Sequence, residues 1–312
     1  MAWAVARNPM RTFAREVESQ PGILLKFSKS NFPKARRGSI FVGAGDSYSA
    51  ALAGFHASNG WCIAVDPYHL ASSPDVARGK DVFLISVSGR TASNLAAARK
   101  VRNLARRTVA ITSNKGSRLA GLVDQVVGLP VGYLPRTPGL LSYSLSLLAV
   151  LSIAGCRDKC DFEGALRAAR KDEGKIRWGG GTTFFLGNSL AYPVAMYAAA
   201  KTYEFIGARA QPQLLEEFSH LELFSLGPSD VVNVFSAFDP LGASGRLANA
   251  LAHQGYESHK VPSGRGSRTE RLFHAVFASQ LSVLRRAGEL RLSEPNFLGA
   301  ADKLTVSDSM IY

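Results

Sequence analysis

The stretch SIFVGAGDSYSAALAGF, residues 39–55, combines a short apolar run, a glycine, a polar turn and a helical segment of small residues. The same order returns in TFFLGNSLAYPVAMYAA, residues 183–199. A second pair of apolar runs follows at a similar interval, DVFLISVSGR (81–90) and DVVNVFSAFD (230–239). Because similar units at a nearly constant offset indicate an internal repeat, the sequence predicts a duplication of one α/β unit.

The junction between the two halves is predicted at 157–180, where the chain becomes rich in charge and then in glycine. Such a change in composition is typical of a connection between compact units. A chain of 312 residues is also long for one domain of ordinary size. We therefore expect two domains, 1–157 and 158–312.

Strand candidates alternate with helical segments throughout the first half. They lie in FVGAG (41–45), WCIAVDP (61–67), DVFLISVS (81–88), RTVAITS (107–113) and QVVGLPV (125–131). Continuous apolar strands separated by helices are typical of a parallel sheet with both faces covered. The predicted fold class is α/β, with each half an αβα sandwich, and ligands of such folds bind at the carboxyl ends of strands.

The chain carries a formal net charge of +13, but its basic runs at 34–38 and 99–107 contain no aromatic residues. Surfaces that bind single-stranded nucleic acid usually combine basic side chains with base-stacking ones. The charge therefore fits a small anionic substrate at least as well as nucleic acid and proves neither. Because the basic runs lack aromatic residues, we expect no nucleic-acid partner.

Membrane and metal functions are also not expected. The most hydrophobic window, 139–155, is at the lower limit for a membrane span and contains four serines, so a buried helix fits it better. The N-terminus has no apolar core of signal-peptide length. The three cysteines lack the partners that would complete a metal site. We expect a cytoplasmic protein with reduced thiols.

Two loops are candidates for binding a phosphate group, and SVSGRTAS (86–93) is the better one. Ser86, Ser88 and Thr91 offer hydroxyl groups, and Gly89 allows the backbone to approach a ligand. The helix that follows presents free N–H groups to an anion. The alternative is that these residues only cap the helix, since Ser and Thr are common N-caps.

The other loop, GAGDSY (43–48), resembles the start of a dinucleotide-binding motif, and Asp66 follows the next strand at a fitting interval. The third glycine of that motif is missing, which weakens a nicotinamide-enzyme interpretation. We expect Gly45 and Ser47 to contact a phosphate or sugar group. Asp46, which would repel a phosphate, is expected to cap the helix or to bind sugar hydroxyl groups.

Lys201 and Glu204 are three residues apart on the helical segment LAYPVAMYAAAKTYEF, so they share one face. An exposed pair of this kind is usually only a solvated ion pair. The alanine-rich segment instead indicates partial burial, where Lys201 would keep Glu204 ionised and able to move a proton between adjacent carbons. His220, predicted in a loop beside Glu216 and Glu217, would titrate near neutral pH.

The chain resembles the double sugar-isomerase-domain (SIS) family over nearly its whole length. That family contains the isomerase half of glucosamine-6-phosphate synthase and the archaeal bifunctional phosphoglucose/phosphomannose isomerases. SVSGRTAS resembles its serine-rich phosphate loop, and GAGDSYSAA resembles its first Gly-Ser loop. Further similarities are Lys201, Glu204, Glu217 and His220 at the synthase's spacing, Pro135-Arg136 ahead of a helix, and Lys303 in the tail segment AADKLTVS.

The resemblance implies a cofactor-free aldose–ketose isomerisation of a hexose 6-phosphate. The phosphate would be bound by Ser86, Ser88, Thr91, Ser47, Gly45 and Gly89. His220 would open the sugar ring, and Glu204, oriented by Lys201, would carry the proton between C1 and C2. Lys303 and Arg136 would neutralise developing negative charge. In relatives the histidine comes from the neighbouring subunit, which implies a homodimer with a shared site.

Some positions depart from the family pattern. His220 is followed by LELFSL rather than Gly-Pro, and Asp46 replaces a threonine. The segment 235–242 contains no second serine-rich loop, so one phosphate site per chain is expected. The chain has no glutaminase domain, so glutamine-dependent amination is not expected. A glucosamine-6-phosphate deaminase and a non-catalytic sugar-phosphate sensor are the alternatives, although a sensor would not need the proton-transfer residues.

Overall fold

The structure, a computed structural model, describes residues 9–132, 137–156 and 158–312. These residues form two compact units. The N-terminal unit is the described part of Gly22–Arg157 together with Ala300–Tyr312, and the C-terminal unit is the described part of Met1–Pro21 together with Asp158–Gly299. The domain limits 1–157 and 158–312 stay a prediction.

A five-stranded parallel sheet forms the centre of the N-terminal unit. Its strands are β1 (Ile40–Val42), β2 (Ile63–Val65), β3 (Asp81–Ile85), β4 (Arg107–Thr112) and β5 (Gln125–Gly128), in the spatial order β2-β1-β3-β4-β5. The helices around it are the end of α1 (Pro9–Ser28), α2 (Asp46–Ala57), α3 (Pro67–Ser72), α4 (Ala92–Val101), α5 (Leu141–Ile153) and α11 (Ala301–Ile311), with 3-10 turns at Pro74–Ala77 and Ala120–Leu122.

The C-terminal unit contains a four-stranded parallel sheet. Its strands are β6 (Thr183–Leu186), β7 (Ala210–Gln213), β8 (Val231–Phe235) and β9 (Glu257–Val261), in the spatial order β7-β6-β8-β9. Its helices, besides the start of α1, are α6 (Phe162–Asp172), α7 (Ala191–Lys201), α8 (Leu215–His220), α9 (Ala243–His253) and α10 (Arg268–Glu289). Shorter turns lie at Glu173–Lys175, Thr202–Ile206, Glu222–Ser225 and Asn296–Gly299.

The predicted α/β class with two mainly parallel sheets is confirmed. Every residue of β1, β3, β6 and β8 is buried, as expected for strands covered on both faces. The order β2-β1-β3-β4 in one unit matches β7-β6-β8-β9 in the other. This shared order agrees with the repeated pattern of the sequence.

Helix α5 is the buried helix expected from the apolar window 139–155. Twelve of its residues are buried, and the hydroxyl group of Ser146 is satisfied by the carbonyl oxygen of Ser142 at 2.8 Å. Gly54 lets α2 pack closely on α5, because a Cβ at this position would lie 2.5 Å from Cγ1 of Val150. None of the helices in the described ranges has both the length and the apolar character required to cross a membrane.

Candidate active site

The loop 86–91 joins β3 to α4 at the carboxyl edge of the N-terminal sheet. The loop 43–45 joins β1 to α2 at the same edge, and β1 and β3 are neighbours. The chain leaves β1 toward β2 on one side and returns to β3 on the other. Ligands of open α/β sheets bind at this kind of reversal in strand order. Both candidate loops therefore lie where a ligand is expected.

The serine hydroxyls of the second loop shape its backbone. The Ser86 hydroxyl oxygen accepts the N–H of Gly89 at 3.1 Å and lies 3.2 Å from the Thr91 hydroxyl oxygen. The Ser88 hydroxyl oxygen accepts the N–H of Arg90 at 3.2 Å. Thr91 is the N-cap of α4, but its side chain makes no capping hydrogen bond. The first N–H groups of α4 thus keep their capacity to bind an anion.

Gly89 is required by the packing of this loop. Its φ is +62°, in the left-handed region, and a Cβ would lie only 2.1 Å from the Ser117 hydroxyl oxygen. The loop is therefore pressed against the segment that follows β4. The sequence indicated Gly89 as a point of close approach to a ligand, but it gave no signal for Ser117.

The first loop differs from the expectation at Asp46. The N-cap of α2 is Gly45, with φ +57°, and Asp46 is the first residue of the helix, so Asp46 is not the cap. A Cβ at Gly139 would lie 2.8 Å from Asp46 Oδ2, which shows that the carboxylate approaches the segment ahead of α5. Ser47 is half-buried in the first turn of α2.

Asp66, which suggested a dinucleotide site, has a structural role in this protein. It is the N-cap of α3, and its Oδ1 accepts the backbone N–H groups of Tyr68 at 2.9 Å and His69 at 3.1 Å. These bonds satisfy two N–H groups that have no partner within the helix. The position of Asp66 after β2 is thereby explained without a ribose ligand.

The helical segment that carries Lys201 and Glu204 changes geometry between these two residues. Helix α7 ends at Lys201, and Thr202–Ile206 forms a π-helical turn that ends at Gly207, with φ +73°. The sequence predicted continuous helix here. Single π turns inside α-helices occur frequently at functional sites.

Lys201 and Glu204 form the predicted ion pair. Lys201 Nζ lies 2.5 Å from Glu204 Oε2, and the lysine side chain is fully buried whereas that of Glu204 is 32% exposed. Nζ also lies 5.1 Å from the centre of the Tyr197 ring, within cation–π range. The carboxylate is therefore held from the inside by a buried cation, while part of it remains accessible.

A buried amide network fixes the Tyr197 ring. Gln280 Nε2 donates to the Tyr197 hydroxyl oxygen at 3.0 Å, and Gln20 Nε2 donates to Gln280 Oε1 at 2.9 Å. All three side chains are fully buried. Because α1 and α10 supply the glutamines, the contacts join residues up to 260 positions apart, and no local pattern in the sequence could reveal them.

His220 is the last residue of α8, so the predicted loop position is wrong. Glu216 and Glu217 lie on the same short helix as His220, and all three residues are exposed. Among the described residues, His220 forms no side-chain hydrogen bond or ion pair. Sequence reasoning missed this helix because it has only six residues and its N-cap, Leu214, offers no capping side chain.

Strand β7 separates the Glu204 turn from the start of α8. The hydroxyl group of Tyr203 donates to the carbonyl oxygen of Ala210, the first residue of β7. At the opposite end of the strand, the N–H of Leu215 donates to Asn188 Oδ1 at 3.2 Å. The Glu204 turn therefore lies at the amino end of β7, and α8 begins at its carboxyl end.

Two further predicted site residues are Lys303 and Arg136. Lys303 is exposed on α11, a helix that packs on α4, and the Tyr68 hydroxyl lies 3.8 Å from the Met310 sulfur. Arg136 lies outside the described residues. Within the described ranges, no group of three or more metal-ligating side chains is arranged to hold a metal ion.

Comparison with protein families finds a match within the N-terminal unit. Residues 34–153 match the SIS domain family. This span contains both candidate loops and α5. No curated protein is detectably similar to the chain in sequence.

Solved structures share the fold over most of the chain. A glucosamine-6-phosphate deaminase from Thermotoga maritima is 22% identical with a TM-score of 0.69, covering 89% of this chain and 94% of its own. The C-terminal domain of a glucosamine-fructose-6-phosphate aminotransferase from Francisella tularensis is 17% identical with a TM-score of 0.65, covering 92% and 97%. A tagatose-6-phosphate ketose/aldose isomerase from Escherichia coli is 16% identical with a TM-score of 0.65, covering 90% and 89%. At these identities the similarity concerns the fold.

Proposed function

We propose that the protein is a phosphosugar isomerase built from two tandem SIS-type domains. It interconverts the aldose and ketose forms of a hexose 6-phosphate without a cofactor. The observation that carries this proposal is the ion pair in which fully buried Lys201 holds the partly exposed carboxylate of Glu204 at 2.5 Å. A carboxylate that is kept ionised and partly desolvated is suited to moving a proton between adjacent carbons.

The phosphate group is anchored by the loop 86–91. The hydroxyl groups of Ser86, Ser88 and Thr91 and the N–H groups at the start of α4 supply neutral donors, and the helix end adds a partial positive charge. Gly45 and Ser47 contribute from the neighbouring loop. Binding the phosphate fixes the sugar, so that the rest of the reaction becomes effectively intramolecular.

The reaction begins when His220 moves a proton between the ring oxygen and the anomeric hydroxyl group, which opens the ring. For the aldose, Glu204 then removes the proton from C2, and an enediol(ate) forms between C1 and C2. Glu204 returns the proton to C1 while the hydroxyl proton of O2 passes to O1, so that a carbonyl group forms at C2 and a hydroxyl group at C1. Lys201 keeps Glu204 ionised, and Lys303 and Arg136 stabilise the negative charge on the oxygen atoms.

A homodimer completes the site, with His220 supplied by the partner subunit. Two observations support this part of the proposal. Strand β7 separates the Glu204 turn from the start of α8. The segment after His220 exposes large apolar side chains, with Leu221 58% and Phe224 83% exposed. Exposed apolar groups of this kind are common at subunit contacts.

The decisive experiment compares Glu204→Gln with wild type on glucose, mannose, fructose and glucosamine 6-phosphates. Loss of the base should lower turnover by about 10²–10⁴-fold or more. Exchange of the C1 and C2 protons in D₂O, followed by NMR, reports the proton transfer directly, and release of ammonia would identify a deaminase instead. The matched control is Glu216→Gln, an identical chemical change on an exposed residue of α8.

Glu204→Gln also removes the carboxylate from a buried lysine, which we expect to cost on the order of 3 kcal/mol of stability. Glu204→Asp keeps the charge but shortens its reach, so it separates loss of folding from loss of catalysis. Wild-type turnover and proton exchange in folded Glu204→Gln would refute the assignment.

A further inference from the structure

A cleft of about 780 Å³ lies within the C-terminal unit and is lined by none of the residues assigned to isomerisation. Its walls are one face of α6 with the turn after it, the ends of β8 and β9, the loop that follows β9, and the first turns of α10. This volume is typical of sites for small molecules. The cleft is therefore large enough for a ligand of metabolite size.

The cleft carries an excess of positive charge. Four cations line it, Lys171, Lys175, Lys260 and Arg265, against two carboxylates, Asp172 and Glu270. Within the described part of the chain, none of these four cations forms an ion pair or a side-chain hydrogen bond. The net charge of the lining side chains thus favours an anion.

The two carboxylates are directed at other groups. Asp172 Oδ2 lies 2.9 Å from Nε2 of His274, whose side chain is 1% exposed. A Cβ at Gly266 would lie 2.3 Å from Glu270 Oε2, so this carboxylate is folded against the loop backbone. Neither carboxylate pairs with a cleft lysine or arginine, which leaves the cations available to a ligand.

The backbone of the cleft is also fixed. Gly264 has a φ of +65°, and a Cβ there would lie 2.8 Å from Cγ of His274, so the loop rests directly on the buried ring. Ser267 then caps α10 by accepting the N–H of Glu270 at 3.1 Å. The amino end of this 22-residue helix therefore adds a partial positive charge to the cleft.

We propose that this cleft binds a small phosphate monoester, as a second anion site separate from the loop 86–91. The cations supply charge for a dianionic phosphate, and the volume leaves room for the group that the phosphate esterifies. Of the segment 235–242, where the sequence lacks a second serine-rich loop, only Ser236 lines the cleft, so the site depends on the cations instead. It goes beyond the proposed isomerase and does not rest on it.

Calorimetric titration of the full-length protein with glucose 6-phosphate, at low ionic strength, tests the site. We expect two binding events per chain. The double substitution Lys171→Gln/Lys175→Gln should weaken one event at least tenfold, and Ser88→Ala/Thr91→Val should weaken the other. Arg265→Gln is the independent second variant for the cleft. Lys159→Gln/Arg167→Gln removes the same charge from exposed positions outside the cleft and should change neither event more than twofold.

Inorganic phosphate, titrated in parallel, shows whether the cleft recognises only the phosphate or also the esterified group. A single event that survives both cleft variants overturns the proposal. Equal weakening by the cleft and the Lys159/Arg167 variants overturns it as well, because that result indicates non-specific attraction. If only the loop event is missing while the cleft event remains, the proposed isomerase site fails and the cleft site stands.

Discussion

Two buried side chains that form ion pairs, Asp81 and Lys201, differ in how far their partners leave a carboxylate exposed. Asp81 at the start of β3 is fully buried and is held by both Arg106 and Arg107, so its carboxylate has no exposed part. Lys201 is buried to the same degree, but its partner Glu204 is one-third exposed. Only the second arrangement leaves a carboxylate that a ligand can reach. This contrast is why we assign proton transfer to Glu204.

Gly89 provides a residue-scale prediction about the phosphate loop. Gly89→Ala should abolish binding of glucose 6-phosphate at the loop, because a Cβ would meet Ser117 at 2.1 Å in an already left-handed backbone. Gly79→Ala is the matched control, since Gly79 has a φ of +70° but open space around it. It should cost about 1 kcal/mol of stability and leave binding unchanged.

Calorimetry measures the binding of glucose 6-phosphate by the Gly89 and Gly79 variants. Both are made in the Lys171→Gln/Lys175→Gln background, so that only the loop site contributes, and urea unfolding measures their stability. Unchanged binding by folded Gly89→Ala would show that the loop does not hold the phosphate.

His274 provides a prediction about pH. Burial lowers the pKa of its ring below the ordinary value, although Asp172 opposes the shift. The unfolded chain therefore takes up a proton first as the pH falls through about 6.5, and the folded state loses stability below that pH at up to about 1.4 kcal/mol per pH unit. His274→Gln should reduce this loss between pH 7.5 and 5.

Urea unfolding across the pH series measures this effect, with the exposed His253→Gln as the control. The charged side chains of Lys171, Lys175 and Glu270 line the same cleft as His274. The comparison is therefore made at constant ionic strength. An identical pH dependence in wild type and His274→Gln would contradict the assigned burial effect.

Among the elements, the π turn at Thr202–Ile206 depends on the glycine that ends it. Gly207 has a φ of +73°, and a Cβ would lie 2.4 Å from the Asn296 side chain. Gly207→Ala should lower the free energy of unfolding by about 1–3 kcal/mol. Gly22→Ala is the control with the opposite expected sign, because Gly22 lies in α1 with open space around it. This substitution should raise the free energy of unfolding by about 0.5–1 kcal/mol.

Urea unfolding of the Gly207 and Gly22 variants measures how much each glycine contributes to the free energy of unfolding. Asn296→Ala combined with Gly207→Ala separates the side-chain clash from the backbone strain. If Gly207→Ala proved as stable as wild type, the left-handed end of the turn would not constrain the Glu204 segment.

The elements also show what a sequence can and cannot predict. The apolar runs predicted the strands of the first sheet, and the apolar window 139–155 predicted α5. Both could be predicted because buried elements are rich in apolar residues. The π turn could not be predicted in this way, since one extra residue in a helical turn does not alter the hydrophobic pattern. The short helix that ends at His220 has no capping signal. The cleft brings together Asp172 and His274, which are 102 residues apart, so no local pattern could predict it.

At the scale of the whole molecule, the proposed dimer makes a prediction that no single chain can satisfy. If each site combines Glu204 of one subunit with His220 of its partner, neither Glu204→Gln nor His220→Ala homodimers contain an intact site. A heterodimer of the two variants contains one intact site and one doubly defective site. The interface of a two-fold dimer is the same patch on both subunits, so the subunits pair without preference.

Mixing the two inactive variants in equal amounts, after subunit exchange in mild denaturant, should therefore restore roughly a quarter of wild-type isomerase activity, since half of the dimers are mixed and each has one of two sites. Proton exchange at C2 gives the same readout at the level of the chemical step. A Leu221→Asp/Phe224→Asp variant of both chains, which places charges on the exposed apolar segment after His220, should prevent recovery by blocking association. If the mixture stays inactive while exchange of labelled subunits is complete, Glu204 and His220 do not act across a subunit boundary.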